Sequence, residues 1–116
     1  MPMDGTIHYV ELPVSDMAAT KTFYRDVFDW GGFTDYGPDY MSFEALGRDG
    51  GFNANRKVAA TGSGVLMVLY SNNLEATEAK IKAAGGEIVG REKFPGGRRF
   101  TFRDPSGNEL AVWTRR

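Results

Sequence analysis

The sequence predicts a single α+β domain in which a strand, a helix and about three further strands occur twice. Three observations lead to this prediction. Two stretches of helical spacing each follow a capping residue, Asp16 in the first and Asn73 in the second. Short alternating stretches surround both helices, and paired glycines separate them. Aligning Asn73 with Asp16 superimposes strand on strand and helix on helix, so the chain contains an internal repeat.

The composition is typical of one globular domain and argues against nucleic acid or a membrane as partner. The chain has 116 residues, 41% of them hydrophobic, which is enough to fill a core. Its formal net charge is -1, and no run of lysine or arginine occurs, so we expect neither nucleic acid nor a membrane as partner. Cysteine is absent, which excludes disulfides and thiolate chemistry. Without a signal-peptide pattern or a long apolar stretch, we predict a cytoplasmic protein.

The first module spans about residues 5–58. Ile7–Val14 alternates as a strand does, with His8, Val10, Leu12 and Val14 on the face expected to meet a helix. Tyr9 and Glu11 lie on the opposite face, which is expected to meet solvent or a ligand. A helix is predicted over Met17–Phe28, ending before Gly31 and Gly32. Three short strands are then predicted near Phe33–Tyr36, Tyr40–Leu46 and Gly51–Lys57, with Asp49-Gly50-Gly51 interpreted as a turn.

The second module spans about residues 65–116, after a linker of small residues over about 59–64. It repeats the order of the first, with strands at Val65–Tyr70 and Glu87–Arg91 on either side of a helix over Leu74–Ala84. The chain closes on a hairpin whose turn is Asp104-Pro105-Ser106-Gly107-Asn108. Pro105 presets φ, Gly107 supplies a positive φ, and the Asp104 and Asn108 side chains can bond nearby backbone.

Four motifs in this order resemble the vicinal oxygen chelate superfamily of glyoxalases, bleomycin-resistance proteins, fosfomycin-resistance enzymes and extradiol dioxygenases. They are the runs Tyr9–Asp16 (YVELPVSD), Phe23–Trp30 (FYRDVFDW), Ala84–Gly86 (AGG) and Phe102–Asn108 (FRDPSGN). The resemblance covers nearly the whole chain. It implies two βαβββ modules with curved mixed sheets enclosing a cavity, and usually a homodimer. It implies function far less, because one fold hosts unrelated chemistries.

The resemblance also assigns the positions at which many members of the superfamily bind a divalent metal. The first histidine of such members corresponds here to Tyr9, its counterpart in the second module to Leu66, and the final glutamate to Ala111. His8 is one residue away from the first position, which turns a strand side chain to the opposite face. Tyrosine, leucine and alanine do not form a divalent-metal site, so we predict no catalytic metal and no other cofactor.

The predicted concave surface suits a small organic ligand because it combines apolar, aromatic and a few polar side chains. Glu11 and Tyr9 are the candidates for proton transfer, although a rim glutamate bound by its neighbours is the commoner arrangement. An arginine on the strand before the closing hairpin is a candidate anion clamp, unless it lies in a solvated ion pair. The predicted ligand-binding residues are Tyr9, Glu11, Asn53, Leu66, Val68, Tyr70, Arg99, Thr101, Ala111 and Trp113.

Two functions from different classes follow. The first is a metal-independent protein that binds a small organic molecule in a dimeric cavity, as in the bleomycin-resistance branch. The second is a lyase or isomerase related to glyoxalase that uses Glu11 or Tyr9, or a metal-dependent member if the ligand positions were assigned in the wrong register. A purely structural or interaction domain is a third alternative, which a dimer without a pocket would favour.

Overall fold

The computed structural model, which describes residues 3–115, contains two helices and two four-stranded sheets. Sheet A has the strand order β1-β4-β3-β2, and sheet B has the equivalent order β5-β8-β7-β6. In each sheet the first strand of the module lies parallel to the last, and the other pairs are antiparallel. The predicted α+β fold of two βαβββ modules is therefore confirmed. The elements are β1 (Tyr9–Pro13), α1 (Met17–Phe28), β2 (Gly31–Asp35), β3 (Tyr40–Glu44), β4 (Asp49–Asn53), β5 (Val68–Tyr70), α2 (Leu74–Ala83), β6 (Glu87–Phe94), β7 (Gly97–Arg103) and β8 (Glu109–Arg115).

Both helices begin at the predicted caps. The Asp16 carboxylate accepts a hydrogen bond from Ala19 N, and the Asn73 side chain accepts one from Ala76 N, each at 3.0 Å. These bonds satisfy amide groups that the first turn of a helix leaves without a partner. α1 has the predicted bounds, and α2 ends one residue before the predicted Ala84.

The core lies where α1 meets both sheets. Tyr24 of α1 stacks on Trp30 at 4.3 Å between ring centroids, and Trp30 stacks on Phe43 of sheet A at 4.7 Å. On the other side, Phe23 packs against Phe102 of sheet B at 5.8 Å. The helix of module one therefore fills the space between the two modules, and it leaves the opposite face of each sheet free. We call these free faces the concave faces.

The closing hairpin fastens the modules together through polar contacts. Gly107 has the predicted positive φ, and Asp104 Oδ1 accepts hydrogen bonds from the Ser106 and Asn108 amides, both at 2.9 Å. Ser106 Oγ lies 2.6 Å from Thr20 Oγ1 of α1. Asn108 Nδ2 donates to the carbonyl of Pro13 at 2.7 Å. The turn that carries one of the four sequence motifs thus also forms a polar contact between module two and module one.

β1, β2 and β3 differ from their predicted bounds by one or two residues at an end, and β4, β5 and β6 differ by more. The third strand after α1 was placed too late, because Asp49, Gly50 and Gly51 belong to β4 rather than to a turn. At Gly50 a Cβ would collide with the Val10 carbonyl and the Phe43 ring, so the glycine lets the strands and the core aromatic pack closely. β5 is shorter than predicted and begins at Val68, whereas β6 continues to Phe94 through its pairing with β7.

Between residues 3 and 115, neither helix is long and apolar enough to cross a membrane.

Candidate functional site

A hydrogen-bonded cluster occupies the concave face of sheet A. The hydroxyls of Tyr9 and Tyr40 lie 2.6 Å apart. Tyr40 Oη donates to Glu11 Oε2 at 3.0 Å, and Asn53 Nδ2 donates to Glu11 Oε1 at 3.1 Å. We call these four residues the tyrosine network. It brings together three of the predicted site residues, Tyr9, Glu11 and Asn53, and adds one that was not predicted.

The strand register places the four side chains on one face. Tyr9 and Glu11 alternate along β1, and Glu11 pairs with Gly51 of β4. Tyr40 of β3 pairs with Asn53 at the end of β4. Gly51 lies beneath the two phenols, and a Cβ there would collide with the Tyr40 hydroxyl and come within 2.8 Å of Tyr9 Oη. The absence of a side chain at position 51 therefore allows the two hydroxyls to meet over the middle of the sheet.

Tyr40 holds its proton firmly. Partial burial, followed by its hydrogen bonds with Tyr9 and Glu11, raises the pKa of Tyr40 above its ordinary value. The phenol therefore stays protonated well above neutral pH and remains a donor to Glu11. Both carboxylate oxygens of Glu11 are engaged, so Glu11 accepts from within the sheet, and Tyr9 is the exposed end of the network, with 42% of its surface accessible.

The residues present do not fit the divalent metal that the superfamily implies. At the three corresponding positions, Tyr9 offers one phenol, while Leu66 and Ala111 offer no donor atom. No group of three histidine, aspartate or glutamate side chains between residues 3 and 115 is arranged to hold an ion. His8 is exposed and precedes β1, so its side chain is not buried against α1 as the alternation predicted.

The predicted residues of module two lie on the concave face of sheet B, where apolar groups are exposed. Tyr70 packs edge to face on Trp113 at 5.1 Å, and Phe94 lies 6.4 Å from Trp113 between ring centroids. The exposed fractions are 45% for Val68, 42% for Tyr70 and 38% for Phe94. Phe94 was not predicted here, because β6 was expected to end at Arg91.

The remaining predicted ligand residues are partly covered or paired. Arg99 donates to Glu92 at 2.7 Å, so this arginine forms an ion pair across the β6–β7 hairpin. Ala111 is on the same face as Thr101 but is fully buried. Leu66 lies outside β5, in the chain segment that leads into it. Residues 62–66 of this segment and sheet B together line a groove of about 240 Å³ that includes Leu66, Arg99 and Thr101.

Two further grooves involve module one. The sheet A groove, of about 530 Å³, is lined only by residues of module one and includes Tyr9, Tyr36 and Tyr40. A second groove, of about 580 Å³, runs along β1 to the linker and the start of β8, and it also reaches Tyr9 and Glu11. The tyrosine network thus lies beside both open spaces of module one. Trp113 and Tyr70 line neither of them, so the two predicted halves of the ligand site are separate within one chain.

A comparison with protein families identifies the chain. The model of the Glyoxalase/Bleomycin resistance protein/Dioxygenase superfamily matches residues 6–112. The chain belongs to this superfamily. A comparison with curated proteins found no significant match.

Solved structures of superfamily proteins have the same fold at low sequence identity. A manganese-bound fosfomycin resistance protein from Listeria monocytogenes is 20% identical with a TM-score of 0.76, covering 96% of this chain and 90% of its own. A glyoxalase-related enzyme from Fulvimarina pelagi is 16% identical with a TM-score of 0.74, covering 95% and 88%. The lactoylglutathione lyase of Agrobacterium tumefaciens is 20% identical with a TM-score of 0.68, covering 95% and 93%. At these identities the likeness establishes the fold and leaves the activity open.

Tyr40 is the site residue that sequence reasoning missed. It is the first residue of β3, and β4 is the only strand between β3 and β1 in sheet A. Its side chain can therefore reach Glu11 of β1 across β4. The sequence carried one usable signal, since a strand with alternating Tyr40, Ser42 and Glu44 presents a polar face. The spacing does not show which strands lie beside β3, because that depends on the order of the strands in the sheet.

Proposed function

We propose that this superfamily member binds a small organic molecule on the concave face of sheet A, without a catalytic metal. The observation that carries the proposal is the tyrosine network. It places a phenol at the position assigned to the first metal-binding histidine, and it surrounds that phenol with Tyr40, Glu11 and Asn53 rather than with further metal ligands. Aromatic walls with a few fixed polar groups are the usual composition of a small-molecule site.

A second copy of the chain completes this cavity. Val68, Tyr70 and Phe94 expose apolar surface on the concave face of sheet B, next to the half-buried Trp113. A contiguous exposed apolar face on a small domain marks an interaction surface. In a homodimer, this face of one protomer covers the sheet A groove of its partner, and the ligand lies between them. A cytoplasmic location is part of the same proposal.

Thermal denaturation with a panel of metabolites tests binding. A ligand at 100 times its dissociation constant stabilises the folded state by about 2.7 kcal/mol, which corresponds to a rise of roughly 10 °C in Tm for a domain of this size. We expect at least one compound to raise Tm in the wild-type protein and to lose most of that effect with Tyr40→Phe. If no compound raises Tm, the proposed binding function is wrong.

The alternative is a lyase or isomerase in which Glu11 or Tyr9 transfers a proton. Each Glu11 oxygen already accepts one hydrogen bond, so Glu11 would take a substrate proton on a remaining lone pair, as a base weakened by Tyr40 and Asn53. Tyr9 is 42% exposed, but its hydroxyl is hydrogen-bonded to Tyr40, so that bond must break before Tyr9 can donate its proton. Turnover of a bound compound that is lost in both Glu11→Gln and Tyr9→Phe would favour this alternative over simple binding.

The metal content of the purified protein distinguishes both of these metal-independent functions from a metal-dependent reaction. The proposal expects no stoichiometric nickel, zinc or manganese in protein purified without chelators. A stoichiometric metal that remains bound in Tyr9→Phe would mean that the ligand positions lie elsewhere and would reverse the proposal.

A further inference from the structure

The sheet A groove has aromatic walls and no basic lining residue. Tyr9, Tyr36 and Tyr40 line it, and the Tyr36 and Tyr40 rings are 6.3 Å apart and tilted by 57°, so they form a corner. The remaining charged lining residues are Glu44 and Asp49, which pair with each other across β3 and β4. Gly32 and Gly50 also line the groove.

The order of protons in the tyrosine network determines what the groove offers to a ligand. A carboxylate accepts and does not donate, so the hydrogen between Tyr40 and Glu11 belongs to Tyr40. A phenol has one hydrogen, so the hydrogen between Tyr9 and Tyr40 must come from Tyr9. Tyr9 therefore has no hydrogen left for a ligand, and its oxygen faces the groove as an acceptor.

The carboxylates of the groove also differ from most of the glutamates of module two. Within the described residues, four of the five glutamates of module two are held in ion pairs with arginine, namely Glu75, Glu78, Glu87 and Glu92. Glu44 and Asp49 form no ion pair in this part of the chain, as the six that occur involve other residues. A bound anion would meet two carboxylates and an acceptor oxygen.

We propose that the sheet A groove binds the cationic group of a small organic molecule, held against the ring faces of Tyr9, Tyr36 and Tyr40 and by the Tyr9 oxygen. A cation is attracted to the face of an aromatic ring, and an ammonium group also donates hydrogen bonds. This inference rests on the proposed function and names its ligand class. Neutral molecules with the same apolar part bind more weakly, and anions bind most weakly.

Three matched probes test the charge preference by calorimetric titration: 2-phenylethylammonium, 2-phenylethanol and 3-phenylpropanoate. We expect the ammonium compound to bind at least tenfold more tightly than the alcohol, and the carboxylate more weakly than both. Tyr36→Leu and the double variant Glu44→Gln, Asp49→Asn are each expected to reduce that preference, measured as the ratio of the dissociation constants of the alcohol and the ammonium compound, at least threefold. Asp26→Asn is the matched control, because it removes one negative charge from the exposed face of α1, away from the groove.

The inference is wrong if the wild-type protein shows no preference for the ammonium compound or prefers another probe. It is also wrong if the groove variants keep the preference of the wild-type protein. Binding by none of the three probes also overturns it. Each of these results leaves the proposed function standing if the wider metabolite panel yields a ligand of another charge, whereas a panel without any ligand removes both.

Discussion

Tyr24 Oη donates a hydrogen bond of 2.8 Å to Asp104 Oδ2, which joins α1 of module one to the closing hairpin of module two. Tyr24 is fully buried, and Asp104 is nearly so. Asp104 Oδ2 also accepts from Asn108 Nδ2 at 3.0 Å, so the carboxylate is shared between both modules. This contact is the basis of the first two predictions.

Tyr24→Phe is expected to destabilise the fold without changing it. The substitution removes one donor from a buried carboxylate, and a buried group that loses a partner costs about 1–3 kcal/mol. Chemical denaturation should show a lower midpoint with the same slope. Tyr36→Phe is the control, because Tyr36 is exposed, and it should change the free energy of unfolding by less than about 0.5 kcal/mol.

The same residue makes stability depend on alkaline pH. Burial, with the neighbouring Asp104 carboxylate, raises the pKa of Tyr24 well above its ordinary value. A raised pKa in the folded state gives stability that is complete below the ordinary pKa of about 10 and is lost as the pH rises toward the folded-state value. Between about pH 9 and about pH 11 the wild-type protein should therefore lose more stability than Tyr24→Phe. Equal losses in the two proteins would show that Tyr24 is not protected from ionisation.

Glu11→Gln is expected to lower the pKa of Tyr40 toward the ordinary value. The Glu11 carboxylate raises that pKa by its hydrogen bond and its charge, and the variant removes the charge while keeping an acceptor. Absorbance of tyrosinate during an alkaline titration, with Tyr40→Phe to assign the step, measures the change. Glu44→Gln lies on the same face outside the network and should leave the Tyr40 step in place.

Gly51→Ala should disrupt the tyrosine network. Its methyl group would occupy the place where the Tyr40 and Tyr9 hydroxyls meet, so at least one ring must turn away. We expect ligand binding to fall at least tenfold, with a smaller loss of stability, because the displaced groups are the outer ends of side chains on an open face. Gly90→Ala is the control in sheet B, since a Cβ there has no neighbouring atom within 4 Å. Unchanged binding in Gly51→Ala would place the ligand elsewhere.

Val68→Asp should convert a dimer to a monomer. It puts a charge on the exposed apolar face of sheet B, and an unpaired charge in an apolar interface is strongly unfavourable. Sedimentation velocity measures the outcome. Leu46→Asp, in the exposed β3–β4 turn, is the control and should leave the oligomeric state of the wild-type protein unchanged. A wild-type protein that is monomeric at high concentration would contradict the proposed cavity between two copies.

Local signals in the sequence were sufficient for the helices and the closing hairpin. Asp16 fixed the start of α1, and Gly107 with Asp104 fixed the turn, because capping and positive φ act within a few residues. β4 was misplaced because Gly50 and Gly51 have the composition of a turn. They lie in a strand because Phe43, Tyr40 and Tyr9 of other strands occupy the space that side chains at positions 50 and 51 would fill.

The site was predictable along one strand and not across strands. Alternation placed Tyr9 and Glu11 on one face of β1, and the structure has them there. Tyr40 reaches Glu11 from β3, two strands away in sheet A, a relationship that follows from sheet order rather than from residue spacing. Ala111 likewise lies on the predicted face of its strand, but it is fully buried. The residue spacing within a strand does not show which other chain segments cover it.

The contacts of the closing hairpin impose an order on synthesis. Ser106 bonds the amide of Ser15, 91 residues earlier in the chain, and Asn108 bonds Pro13, 95 residues earlier. The amide of Ser15 and the buried hydroxyl of Tyr24 therefore have no native partners until residues 104–108 have left the ribosome. Module one can form its strands and helix while translation continues, but its inner side remains open to chaperones and to aggregation until then. Completion of this fold therefore waits for residues 104–108, although its first helix is made early.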